Sequence, residues 1–177
     1  AALIALALGL GANATVFSIV SGVLLKPLPY AEPERLVMVW QDMRARGGPE
    51  REWASPGLFV EWQRRATVLE DLAAVRGWMP NLTGTDEPER LRGAAVSQGY
   101  FAALGVAPML GRVFSEDDDR PEAAPVVVVG HALWTRRFGA DPTVVGRTVL
   151  LDGQAVAVVG IMPASFRPPI VDADIFT

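Results

Sequence analysis

Hydrophobic and polar positions divide this 177-residue chain sharply: residues 1–25 carry no charged side chain, and Lys26 is the first. Leu, Ile, Val, Ala and Phe dominate that run, and no proline interrupts it before Pro27. As a helix it would extend roughly 37 Å at about 1.5 Å per residue, whereas a bilayer core needs only about 20 such residues. The pattern predicts one N-terminal transmembrane helix over residues 1–26. Small residues recur four apart, at Gly11 and Thr15, Ala14 and Ser18, and Ser18 and Gly22. That spacing lets another membrane helix approach closely, with hydroxyls available for hydrogen bonds. Asn13 is the strongly polar side chain of the run and is costly in lipid, so it is expected to face a protein neighbour. Gly11, Asn13, Ala14, Ser18 and Gly22 are therefore the helix-packing candidates. Lys26-Pro27-Leu28-Pro29 marks the exit from lipid, and Tyr30 suits the membrane interface.

Three other readings of the run are open. Ala12-Asn13-Ala14 matches a signal-peptide cleavage site, although the apolar run continues well past it. A buried core helix would also be apolar. Gly9, Gly11 and Ala14 fit the G-x-G-x-x-G/A spacing of a dinucleotide turn, with Glu32 near the place of its ribose-binding acid. That turn needs a following strand of a βαβ unit, and Pro27 and Pro29 stand where that strand would run.

After Lys26 the pattern changes to short apolar runs separated by turn residues. Leu36-Val37-Met38-Val39-Trp40 reads as a first strand, followed by a polar loop over residues 41–53. Ser55-Pro56 opens a helix, with Ser as N-cap and Pro at the first position, and Phe59, Trp62 and Ala66 share a face. Thr67 caps a further short turn ending at Leu72. Residues 74–82 and 90–97 form a hairpin across a turn-rich connection. Residues 98–104 are helical and stop at Gly105. Residues 125–129 are continuously apolar, as in a strand buried on both faces. Residues 131–138 form a helix ended by Gly139. Residues 147–151 and 154–161 make a hairpin about Asp152-Gly153, the type I′ signature. Residues 174–177 start like a new strand, and the chain reads as a piece of a longer protein. Mixed strands and short helices make residues 27–177 an α+β domain, large enough to bury about two thirds of its unfolded surface.

Composition narrows the chemistry. The net charge of −4 gives no electrostatic footprint for nucleic acid. Cysteine is absent, which removes disulfides, thiolate metal sites and a cysteine nucleophile. His131 is the single histidine and has no second His or Cys with which to head a familiar zinc site. Ser97 and Ser115 lack a base partner and a G-x-S-x-G turn. Glu116-Asp117-Asp118-Asp119 lacks the spacing of a calcium loop and reads as a solvated turn. Arg112 beside it either braces that turn or faces a partner. Asn81-Leu82-Thr83 matches a glycosylation acceptor only in a eukaryotic secretory pathway. The five tryptophans read as core and loop anchors. Gly105, Gly111 and Gly146 read as turn positions, and Gly160 as a place where the sheet packs closely or bends. No nucleophile, base and oxyanion donors come together, so the expectation is a non-enzyme with no catalytic, cofactor-binding or metal residues.

Taken in order, three blocks carry a family likeness: GANATVFSIVSGVLLKPLPYAEPERLV, NLTGTDEPERLRGAAVSQGYFAALGVAPMLGRVFSEDDD and PVVVVGHALWTRRFGADPTVVGRTVLLDGQAVAVVGIMPASF. They resemble the first transmembrane helix and extracytoplasmic core domain of MacB-like, FtsX-like ABC transporter permeases, especially the duplicated orphan type. The resemblance covers nearly the whole chain except about residues 42–55. It implies a plasma (inner) membrane permease subunit with residues after about 27 outside the cytoplasm. The external domain would relay conformational change in an export or mechanotransmission system. The implied partners are the lipid bilayer, the other transmembrane helices of the permease, an ABC ATPase subunit and a second copy in a homo-oligomer. ATP would be bound by that separate subunit, since no Walker A sequence occurs here. The other reading is a membrane-anchored or secreted binding domain with no transport role.

Overall fold

The computed structural model describes Gly11, Asn13, Phe17, Tyr30, residues 32–84 and residues 87–177. Gly11, Asn13 and Phe17 are helical and exposed. The rest of the expected membrane span, including Ala14, Ser18 and Gly22, lies outside the described residues. Among those described, no helix is long and apolar enough to cross a membrane.

The centre of the fold is β6 (Val126–Val129). Successive strand side chains point to opposite faces, so four consecutive valines need a hydrophobic layer on each side. Val127 and Val129 face one core with Leu133 and Trp134 of α3 (His131–Phe138). Val128 faces the other, with Tyr100 and Phe101 of α2 (Tyr100–Ala103). An earlier helix, α1 (Pro56–Arg65), starts as expected: the Ser55 hydroxyl accepts from the Leu58 N–H at 3.3 Å. Helix α3 ends at Gly139 in the left-handed conformation.

The hairpin of β7 (Thr148–Leu151) and β8 (Gln154–Ile161) has its expected register, Leu151 opposite Gln154. Asp152 and Gly153 both take positive φ, 50° and 80°, as the turn type demands. The Asp152 carboxylate accepts from the Asn81 backbone N–H at 2.9 Å and from its side-chain amide at 2.7 Å. These contacts fasten the turn to β2 (Asn81–Thr83) and hold the carboxyl below its usual range.

The other expected hairpin forms, but each arm is broken. One arm becomes β1 (Val75–Trp78) and β2; the other becomes β3 (Glu89–Arg90) and β4 (Gly93–Val96). Pro80 lies at the break and has no N–H to give to a ladder, while its carbonyl accepts from the Leu91 N–H at 2.8 Å. The broken halves then join different neighbours. With β9 spanning Ile175–Phe176, the order β1-β4-β9-β6-β8-β7-β2-β3 places β1/β4 at one end of the sheet and β2/β3 at the other. Since β1 and β2 are consecutive in the chain, the sheet curls back toward itself.

Two short strands complete it. β9 (Ile175–Phe176) inserts between β4 and β6, parallel to the first and antiparallel to the second. β5 (Leu110–Gly111) pairs with β8, not the plain turn expected at Gly111. An added Cβ at Gly160 would lie 2.1 Å from the Arg112 carbonyl oxygen, which accounts for glycine at this crossing. Beside it the β6/β8 register slips between Val127 and Val128, leaving Val159 as an extra residue, a bulge that bends β8.

Three expectations are corrected. Residues 36–40 form no strand; Val37 and Met38 are 68% and 47% exposed. The segment is apolar, but a strand also needs a neighbour to pair with, and the adjoining ladder is a single bridge between Gln41 and Glu52. Residues 67–72 form bends and coil, not a capped helical turn. Tyr30 is not at an exposed interface: it is buried in the aromatic core, with its hydroxyl donating to the Arg167 carbonyl.

Candidate functional site

A concavity lies where the start of α3 meets the chain segment leading into β9. Gly130 permits the approach, because its N–H donates to the Asp174 carbonyl at 2.8 Å and a Cβ there would stand 2.9 Å from that oxygen. The resulting cleft, about 300 Å³, has apolar walls from Met162, Pro163, Phe166 and Phe176. Its polar rim is Arg92, His131, Arg167, Asp172 and Asp174.

Asp174 is the buried charged residue among those described, so its charge needs a partner. Arg92 supplies it as a two-pronged fork: Nε donates to Oδ2 and Nη2 to Oδ1, each at 3.2 Å. The Asp174 N–H in turn donates to the Arg92 carbonyl at 2.7 Å. The remaining prong of Arg92 binds Asp172. Asp174 first, then Asp172, raises the Arg92 pKa and keeps the guanidinium charged. Arg167 spends its guanidinium on the carbonyls of Ala164 and Phe166, at 2.7 and 2.8 Å.

His131 sits at the mouth of the cleft, its ring edge-on to Trp134 with centroids 5.5 Å apart. The Thr135 hydroxyl stands 3.5 Å from its Nδ1 and donates to the His131 carbonyl at 3.0 Å, which commits it to the backbone of α3. Ser97 Oγ accepts from the Ala74 N–H at 3.0 Å, and Ser115 Oγ donates to Asp118 at 2.7 Å. Both are committed to the backbone or to a loop. Glu32 pairs with Arg35 in an exposed turn.

The two readings of Arg112 are now separated. Its Nη1 donates to Asp118 Oδ2 at 2.6 Å and Nη2 to Oδ1 at 2.9 Å. Asp118 also accepts from the Ser115 N–H at 2.7 Å. Chiefly through Arg112, these bonds hold the carboxyl far below the usual carboxylate range. Arg112 braces the acidic turn. The tryptophans divide: Trp134 is buried and donates Nε1–H to the Asp141 carbonyl at 2.9 Å, while Trp40 and Trp53 pair in the loops at 4.8 Å. Asn81 is exposed and its side-chain amide donates to Asp152, while its neighbour Leu82 is buried.

Sequence reasoning missed the Arg92–Asp174 pair and the core position of Tyr30, and no local signal marks either one. The only available hint was the conjunction of an arginine inside a strand-like run and an acid beside another.

Comparison with curated proteins finds no match. Solved structures that share the fold include the following three. The periplasmic region of MacB from Actinobacillus actinomycetemcomitans is 16% identical, with a TM-score of 0.55, covering 66% of this chain and 51% of that one. The extracellular domain of the noncanonic ABC-type transporter YknZ from Gram-positive bacteria is 14% identical, with a TM-score of 0.53 and coverages of 66% and 58%. A domain of a putative permease protein from Porphyromonas gingivalis is 13% identical, with a TM-score of 0.51 and coverages of 67% and 54%. The match thus takes in little more than half of each solved structure. The family model of the MacB-like periplasmic core domain matches residues 1–177. The mixed sheet with α2 and α3 on opposite faces is consistent with that match, and the chain belongs to the MacB-like periplasmic core domain family.

Proposed function

We propose that this chain is the membrane-entry and extracytoplasmic part of an ABC-type permease subunit, with residues 1–26 in the bilayer and residues 27–177 outside the cytoplasm. One observation carries the reading: a 25-residue charge-free run opens a chain that matches the MacB-like periplasmic core family over residues 1–177. The external domain relays conformational change or contacts partners, and ATP hydrolysis belongs to a separate subunit. Gly11, Asn13, Ala14, Ser18 and Gly22 pack the first helix against other membrane helices of the permease. Tyr30 supports mechanical coupling, because it anchors the chain in the aromatic core only four residues beyond Lys26.

Full-length protein should stay with membranes through alkaline carbonate washing, and release into the supernatant would remove the span. A reporter fused after Thr177 should be active only outside the cytoplasmic membrane; cytoplasmic activity would invert the topology. The apolar cleft beside Arg92 favours a second reading, an anchored or secreted binding domain without a transport role. Three long apolar segments downstream of Thr177 would favour the permease over it.

A further inference from the structure

The connection from β8 to β9 runs thirteen residues, 162–174, without helix or strand of its own. Loops that long inside a compact domain are usually functional. Its stretch 163–171 carries a single charged side chain, Arg167, and three prolines, Pro163, Pro168 and Pro169. Ala164, Ser165, Arg167 and Pro169 are exposed. Such a stretch suits a partly dehydrated surface, because proline brings no N–H that would be left without a partner there.

Arg167 is prepared for an acceptor outside the domain. Its Nη1 donates to the Ala164 and Phe166 carbonyls, which fixes the guanidinium and leaves the Nε and Nη2 donors for an external partner. The two carboxylates of the loop, Asp172 and Asp174, are both taken by Arg92. Among the described residues none forms an ion pair with Arg167. A planar set of N–H donors held in this way matches the oxygens of a phosphate.

The chain itself says which phosphate is in reach. The Tyr30 hydroxyl donates to the Arg167 carbonyl, and Tyr30 stands four residues after Lys26, where the charge-free run ends. Four residues span at most about 14 Å. Headgroups occupy roughly 5–7 Å outside the hydrocarbon on each side. Tyr30 is therefore anchored no more than roughly 9 Å above the headgroup layer, about one Debye length at physiological salt. The loop fastened to that anchor belongs to the bilayer end of the domain.

We infer that the 163–171 loop rests on the lipid headgroups, with Arg167 holding a lipid phosphate. The inference rests on the proposed membrane span of residues 1–26 and adds a fixed contact between the external domain and the bilayer surface.

The test uses the full-length protein in nanodiscs of mixed phosphatidylcholine and phosphatidylglycerol, some of the lipids bearing a nitroxide on the headgroup. Any cysteine outside these 177 residues is replaced by serine. A fluorophore is attached at Ser165→Cys or, for comparison, at Gln154→Cys. Gln154 is exposed and opens β8, about 23 Å along the strand from Ile161. Quenching should be severalfold stronger at position 165 than at position 154. Arg167→Gln should shift the loop away from the headgroups by roughly fivefold in equilibrium, the effect of about one basic side chain at an anionic surface; Arg167→Lys should retain more of the contact. Equal quenching at the two positions would overturn the inference, as would unchanged quenching in Arg167→Gln. Quenching at position 165 that inorganic phosphate abolishes at constant ionic strength would assign Arg167 to a free anion and equally refute the lipid contact. Carbonate release of the protein would sink the span itself, whereas membrane-retained protein with equal quenching refutes only the contact.

Discussion

Asp118→Asn tests whether the acidic turn is a braced element of the fold. The side chain is only 11% exposed, and its carboxylate accepts two N–H groups from Arg112 and both the N–H and hydroxyl of Ser115. Asparagine keeps the shape and can retain one oxygen toward Ser115. Its NH2 group then faces the guanidinium, and the two charge-assisted bonds are lost. Such bonds contribute about 1.5–3 kcal/mol where shielded. Arg112 is half-exposed and can rehydrate, which reduces the net loss to about 2 kcal/mol. Urea unfolding at pH 7 should show this as a midpoint shift of roughly 1 M, taking a slope of about 2 kcal/mol/M.

The pH dependence gives the sharper check. The Asp118 carboxyl is depressed in the folded state, so its contribution is fully present above the unfolded value of about 3.9. Acidification below that value protonates the unfolded chain first and removes the contribution as pH falls toward the folded value. The gap between the native protein and Asp118→Asn should therefore be constant from pH 7 to about 5 and narrow below about 4. A gap that stays constant down to pH 2.5 would show that the charge is not what stabilises the turn. No gap at pH 7 would return Arg112 to the role of a partner contact.

Two further substitutions probe the interior. Gly160→Ala drives a methyl group against the backbone oxygens of Arg112 and Leu110; thermal unfolding should register a loss of about 3 kcal/mol, the upper end for overpacking, and an unchanged Tm would contradict the crossing. Phe101→Ala removes a fully buried ring that meets Tyr100, Phe114, Phe166 and Phe176 at centroid distances of 5.3–5.9 Å. The expected loss is about 3–5 kcal/mol in denaturant titration, and a loss near 1 kcal/mol would mean that this face of the sheet is not a packed core.

The sequence alone determined the features governed by near neighbours. Asp152-Gly153 sets the β7/β8 hairpin because a two-residue turn requires positive φ at both positions. Gly130 and Gly139 bracket α3, and Ser55-Pro56 starts α1, because helix ends are settled within one turn. Four valines named β6 as doubly buried because alternation points side chains both ways. The ordered blocks also carried the family likeness, which no single motif did.

Only the tertiary structure decided the rest. β5 is a two-residue strand, too short for any periodicity, and it exists because β8 offers it backbone groups to pair with; the strand-like pattern at residues 174–177 did not say that β9 would insert between β4 and β6. The hairpin arms divide at Pro80 and Leu91-Arg92 because distant strands claim the two halves. Arg92 meets Asp174 across 82 positions and Tyr30 meets Arg167 across 137; an ion pair or a buried hydroxyl at that separation leaves no trace in local pattern. Residues 36–40 show the same boundary from the other side. Their sequence states that they are apolar on both faces, but a strand is a relation between two chain segments, and its second member must come from the fold.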